Sequence, residues 1–265
     1  MNDIDESVKS ELVTFGLLTQ STHLKKLTGG RSNETWFANT EPPVVIKKFS
    51  AGNVSKIFDN NSHLEWACLA HLHPIGMASE PIHFRATDTL EFIVTGYVEG
   101  KATRPDPYDV GQYLARLHHL PPPDFLPKRR HPLPWTKSVS EAYGPIHGSA
   151  PPIRNPVFLH GDPVPANFIT SDPMIAVDWQ CPAIGDPCDD IAIYLSPGMH
   201  SIYSDHPFTA EDVHDFWRGY SNEDVRARYS ELRPAYRQTF ASYFRSRRTP
   251  KDDTAAALEE HCARP

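Results

Sequence analysis

Residues 157–195, VFLHGDPVPANFITSDPMIAVDWQCPAIGDPCDDIAIYL, constrain the fold more than any other stretch of this chain. Two short apolar runs lie in it, Val157–Leu159 and Met174–Val177, and each delivers an acidic residue near its end: Asp162 after the first, Asp178 after the second. Asn167 follows Asp162 by five positions. Short apolar runs bounded by turn residues read as buried strands, and a polar group just past a strand end is held at a fixed position facing solvent or ligand. An Asp, an Asn and a second Asp gathered in this way suit two tasks. They orient a hydroxyl, and they bind a divalent cation through hard oxygen ligands. Taken alone, Asp162 reads as a turn or cap residue; the matched spacing of the set carries the functional reading.

The remaining sequence narrows the partners. At 265 residues the chain accommodates one large domain or two lobes. A net charge of −7 argues against nucleic acid as the main partner, because phosphate backbones favour basic surfaces. A nucleotide is compatible, since it needs only local cations and a metal. Cys68, Cys181, Cys188 and Cys262 form no CxxC pair, so reduced thiols in a cytoplasmic protein are expected. The acidic N-terminal segment lacks the apolar core of a signal peptide, and no run approaches the roughly 20 apolar residues of a membrane span. The expected partner is a small molecule, met by a monomer or dimer.

Strand signals dominate as far as Glu99 and helical ones follow, which suggests lobes at 1–99 and 100–265. Residues 5–18 read as a short helix, 24–49 as a hairpin or small meander, and 81–86 with 91–98 as a second strand pair. The three- and four-residue spacing of apolar positions predicts a helix over 53–72. After Gly100, Tyr108–Leu120 is amphipathic, and a helix near Thr136–Tyr143 interrupts proline-rich loops at 121–134 and 150–156. A helix is expected from Asp189, with Asp189 or Asp190 favoured at its N-terminus by the helix dipole. Two more fall within 209–247, broken near Ser221-Asn222 and Pro234. The tail from Thr249 reads as a last helix or as disorder.

The string His160-Gly161-Asp162, with Asn167 and then Asp178-Trp179-Gln180, resembles the catalytic signature of the aminoglycoside phosphotransferase and choline kinase superfamily. That superfamily shares fold and mechanism with protein kinases, whose HRD loop and DFG aspartate are the counterparts. Here Gly161 stands for the Arg, and Trp179-Gln180 for Phe-Gly. Gly185-Asp186-Pro187-Cys188-Asp189-Asp190-Ile191-Ala192 is similar to the GDPxxDLA segment of the small-molecule branch. In the first lobe, Leu27–Trp36 resembles the phosphate-covering turn, Val45-Ile46-Lys47 the strand lysine, and Phe92–Gly100 the adenine hinge.

The resemblance implies an α+β, two-lobed, protein-kinase-like fold: an antiparallel sheet with one main helix, then a mostly helical lobe. It implies an ATP- and Mg2+-dependent phosphotransferase. Asp162 would accept or orient the proton of the attacking hydroxyl, and Asn167 and Asp178 would hold the metal. Lys47, fixed by Glu65, would bind the phosphates under Gly30, Ser32 and Asn33. Thr95 and Tyr97 would meet adenine through their main chain. His160 would pack behind the loop, and Asp190 would start a helix or brace the loop. Lys48 competes with Lys47, since strand side chains alternate and only one faces the cleft.

Val-Pro before Asn167 is closer to bacterial choline kinases than to aminoglycoside kinases, so a choline-, ethanolamine- or thiamine-like acceptor is expected. Trp179 then becomes a candidate for caging its cation, with Asp186 nearby. An aminoglycoside O-phosphotransferase and a nucleotide-binding pseudokinase are the alternatives. The short segment between Asp178 and Gly185 leaves no room for the long activation loop of a protein kinase.

Overall fold

The computed structural model describes residues 4–27, 32–50, 55–101, 104–204 and 206–263. Helix α1, Glu6–Thr14, is capped by Asp5, whose carboxylate accepts from Ser7 N at 2.9 Å. Five strands follow: β1 (Leu24–Leu27), β2 (Glu34–Ala38), β3 (Val44–Lys48), β4 (Pro81–Ala86) and β5 (Glu91–Gly96). They form one antiparallel sheet in the order β1-β2-β3-β5-β4. Helix α2, Ser62–Leu72, crosses over between β3 and β4.

Alternation on the strands gives the sheet two working faces. Trp36, Val44, Ile46, Phe92 and Val94 bury against Val8 and Leu12 of α1. On the other face, Ile93 joins Cys68, Leu69 and Leu72 of α2 in a core that continues into the helical part of the molecule. The helix anticipated over 53–72 begins only at Ser62. Asn61 caps it, accepting from Leu64 N at 3.0 Å. Ile57 and Phe58 reach the core from a turn closed by Ser55 Oγ, so their apolar spacing reflects burial and not helix. Residues 53 and 54 lie outside the described part.

Beyond the sheet come α3 (Pro107–His119) and α4 (Lys137–Tyr143), then strands β6 (Val157–Leu159), β7 (Phe168–Ile169), β8 (Ile175–Ala176) and β9 (Ala183–Gly185). Helices α5 (Pro187–Tyr194), α6 (Pro197–Tyr203), α7 (Ala210–Tyr220), α8 (Glu223–Arg247) and α9 (Pro250–Ala263) complete the chain. Two departures from expectation have local causes. α5 starts two residues early because Asp186 caps it, accepting from Cys188 N at 3.0 Å, with Pro187 at the first helical position where its missing N–H costs nothing. α8 runs through Pro234 without a break. A proline inside a helix costs about 3 kcal/mol, but Tyr229, Leu232, Tyr236, Phe240 and Phe244 bury along this helix and outweigh it.

Two small ladders bracket the segment singled out at the start. β6 pairs with β9 and β7 with β8, both antiparallel. Bridges tie them outward, Ala176 to Ala78 and Thr170 to Lys101. The linker presses so closely on β7 that a Cβ at Gly100 would meet Thr170 O at 2.5 Å. The loops at 160–167 and 177–182 therefore stand between fixed ends. Among the described residues no helix is long and apolar enough to cross a membrane.

Candidate active site

The cleft is built from the end of β3, the middle of α2 and the two loops held by the small ladders. Alternation sends Lys47 to the cleft face and Lys48 to the opposite one. Lys47 Nζ lies 2.5 Å from Glu65 Oε2 and is also ion-paired with Asp178. Lys48 instead pairs with Asp5, the cap of α1, at 2.5 Å. Burial works to lower the Lys47 ammonium's pKa, but Asp178 and Glu65 outweigh burial and hold it above the ordinary value. This lysine is therefore charged at any physiological pH.

Asp178 takes a left-handed backbone, φ 67°, that aspartate adopts more readily than most residues. Gly161 is at φ 86°, and a Cβ there would fall on the Cys181 carbonyl. The departure from the protein-kinase Arg at this position thus has a steric reason: the two loops touch through Gly161. His160 is fully buried and fixed at both nitrogens. Its Nε2 donates to Val177 O at 3.1 Å, and its Nδ1 accepts from Asp162 N at 3.2 Å. Burial pushes its pKa below the ordinary value, so it stands neutral and holds one loop against the other.

Behind the loop, Asp190 accepts from His160 N at 2.8 Å and Gly161 N at 2.9 Å. His118 Nε2 lies 3.2 Å from the same carboxylate, and His118 Nδ1 is 2.8 Å from Tyr220 OH. Asp190 therefore braces the loop. Asp162 differs. It is 7% exposed, and its Oδ1 has no hydrogen-bond partner among the described residues. Burial, reinforced by the charge of Asp178, raises its pKa well above the usual carboxylate range. Asn167 Nδ2 donates to Asp162 O at 2.8 Å, which leaves the Asn167 carbonyl oxygen as the group on offer.

Of the residues expected to serve the site, the structure brings Asp162, Asn167, Asp178, Lys47 and Glu65 to one cleft. Thr95 shares the Lys47 face, paired with Val45. The amide of Tyr97 is already bound to Pro43 O at 3.0 Å, so it has no N–H for a base. Ser32 stands in the bend before β2, and Gly30 lies outside the described residues. Asn33 is committed elsewhere. Its Nδ2 donates to Asn60 Oδ1 at 2.8 Å and to Gln180 Oε1 at 2.9 Å, while its Oδ1 accepts from Ser50 N. It ties the bend before β2 to the loop after Asp178 in place of a free phosphate contact.

Two residues expected at the substrate do not face it. Trp179 is fully buried against His160, ring centroids 4.3 Å apart, with Nε1 donating to Ala176 O. A ring closed off by the core cannot cage a ligand's cation. Asp186 is also fully buried, capping α5 and accepting from Arg228 Nε at 2.8 Å. Sequence reasoning missed Asn60, Gln180 and His118. His118 had a signal: it is a polar residue four positions after Leu114 on the buried stripe of α3.

The model of the phosphotransferase enzyme family matches residues 23–144 and 145–233. In three dimensions the chain is similar to a choline/ethanolamine kinase family protein from Mesorhizobium loti, with a TM-score of 0.70 at 16% identity, covering 97% of this chain and 92% of that one. It is similar to a microcompartment-associated aminopropanol kinase, TM-score 0.68 at 14% identity, covering 98% and 95%. It is also similar to APH(2″)-IIa in a streptomycin–ATP ternary complex, TM-score 0.61 at 15% identity, covering 98% and 97%. At such identities the likeness speaks to fold. No curated protein matches the chain by sequence.

Proposed function

The chain belongs to the phosphotransferase enzyme family, and from that premise we propose that it moves the γ-phosphate of ATP to the hydroxyl of a small amino alcohol. The observation that carries the reading is the contrast at the cleft between a buried carboxylate with an unpartnered oxygen, Asp162, and an ion-paired Lys47–Glu65–Asp178 set. Phosphoryl transfer asks little covalent chemistry of a protein; it asks for positioning and neutralisation of charge.

Asp162 receives the acceptor hydroxyl at its free oxygen and takes its proton. Its raised pKa makes it a stronger base than an exposed carboxylate. Lys47 carries the charge that meets the phosphates, and Glu65 keeps it aimed. Asp178 and the Asn167 carbonyl oxygen suit Mg2+, which takes one or two protein oxygens and completes its shell with phosphate and water. That donor set fits the residues present, since the Asn167 N–H is spent on Asp162 O and its carbonyl oxygen is left, with the Asp178 carboxylate, as a pair of hard oxygen donors. When bound, the metal supplies charge neutralisation at the phosphates.

The small-acceptor reading draws on the choline/ethanolamine and aminopropanol kinases among the similar structures. The test is ADP release from ATP and magnesium in the presence of choline, ethanolamine, 1-amino-2-propanol, thiamine or aminoglycosides. Stimulation by the small amino alcohols is expected. Asp162→Ala should bind nucleotide normally yet lose turnover; an Asp162→Ala protein that still turns over ends the assignment of the base.

A further inference from the structure

Tyr194 and Asp212 carry polar atoms at a small cavity that the phosphoryl-transfer chemistry does not use. The cavity lies between the linker after β5, the loop 160–167 and the start of α7, and its walls include Arg104, Pro165, Tyr194, His200, Phe208 and Asp212. Pro165 follows Asp162 by three residues, so the cavity abuts the loop that carries the base. Three of its walls are rings. Phe208 stacks on His200 at 3.7 Å, and Tyr194 meets His200 at 5.3 Å and Phe208 at 6.0 Å.

Tyr194 is fully buried, yet its hydroxyl has no hydrogen-bond partner among the described residues. A buried hydroxyl left bare is costly and normally marks a place for water or ligand. The Asp212 carboxylate is divided between two duties. Its Oδ2 accepts from Thr209 N and Thr209 Oγ1, both at 2.7 Å, closing the capping box of α7. Its Oδ1 faces Arg104 Nη2 at 3.5 Å. The Arg104 side chain is 54% exposed, and an ion pair so exposed contributes little, which makes the arginine readily exchanged for another cation. His200 donates from Nε2 to Tyr194 O at 2.7 Å, and burial lowers its pKa to about 4, so it brings no positive charge to the walls. With Arg104 in place the cavity is about 10 Å³, room for no more than one water. A ligand enters only as Arg104 withdraws.

We propose that this cavity is the acceptor subsite, in which a primary or secondary ammonium of a small amino alcohol replaces Arg104 at Asp212 Oδ1 and gives a second N–H to the Tyr194 hydroxyl. The rings of Phe208, His200 and Tyr194 cover its carbon skeleton. This rests on the phosphoryl-transfer reading for the identity of the acceptor, but the site stands on its own geometry. The bare Tyr194 hydroxyl selects an ammonium that carries N–H groups over a quaternary one.

Calorimetric titration of the full chain with ethanolamine, choline and ethylene glycol, without nucleotide, tests it alongside ADP release. Ethanolamine is expected to bind saturably and ethylene glycol not at all. Asp212→Asn, which keeps an oxygen for the helix cap, should weaken ethanolamine about 30-fold, as loss of a charge-assisted hydrogen bond requires. Tyr194→Phe should weaken ethanolamine about 5-fold and leave choline unchanged. Arg104→Ala should tighten both. Ethanolamine binding that is absent from the wild type, or unchanged in Asp212→Asn, overturns the subsite. The two readings fail separately. Ethanolamine binding lost in Asp212→Asn, with no alcohol releasing ADP, keeps the subsite and ends the transfer reading. ADP release driven by a neutral alcohol, with no ammonium bound, does the reverse.

Discussion

Asp162 at the mouth of the cleft and Asp190 on its floor belong to the same loop assembly, and both are buried. Asp190 accepts two backbone N–H groups and meets His118, and although burial alone would raise its pKa, these contacts hold it below the usual value. Asp162 has one oxygen without a partner and a pKa pushed up. A fully bonded carboxylate is structure; a bare one at the same depth is held in reserve for a ligand, because the fold gains nothing from leaving it bare. Asp186, Asp189 and Glu259 sort with Asp190, each paired with an arginine.

The sharpest way to break this contrast is to neutralise Asp162. Asp162→Asn should cut turnover by about 10²–10⁴-fold, while its thermal midpoint stays level or rises. The sign follows from its raised pKa. Ionising Asp162 costs more in the folded chain than in the unfolded one, so the penalty is absent below the usual carboxylate range and grows as pH increases. The stability gain of Asp162→Asn should therefore appear at neutral pH and vanish in acid; a gain that grows toward low pH would contradict it. Asp190→Ala should behave oppositely, losing about 3–5 kcal/mol in urea unfolding at neutral pH because it strips the buried partner from His118 and two amides. The loss should shrink as acid protonates Asp190.

Gly161→Ala comes next. A methyl group on the Cys181 carbonyl should cost about 1–3 kcal/mol, with turnover falling further than stability because the displaced loop carries Asp162. Least affected should be Lys48→Met. Its pair with Asp5 is partly exposed and is expected to contribute under about 1 kcal/mol, with steady-state turnover unchanged. A large activity loss there would mean that Lys47 and Lys48 share the cleft.

The groups proposed to react are legible in the sequence because the chemistry asked of them fixes their spacing. Asp162, Asn167 and Asp178 sit on short loops next to paired strands, so local rules place these three; alternation alone leaves Lys47 and Lys48 open, and the family resemblance selects Lys47. Glu65 needed the helix to be found, and its start was misread because Ile57 and Phe58 are buried without being helical. What escaped was built across distance. Asn33 meets Gln180 and Asn60, each from a different part of the chain. Trp179 is buried against His160 and Phe158, both some twenty residues away in the chain. Tyr194, Phe208 and Asp212 come from separate elements, and no spacing in the sequence announces that they share a wall.

Two adjacent lysines on β3 have a consequence for how this strand tolerates insertions and deletions. A one-residue deletion in the turn 39–43 would slide Lys48 into the slot that meets Glu65, and the cleft would still find a cation. The same slide would deliver Lys47 into the slot of Ile46, which is fully buried against α1. The frame of the strand is thus enforced from the side away from the chemistry, and length variation in that turn should be selected against by the apolar core while the cleft remains indifferent to it.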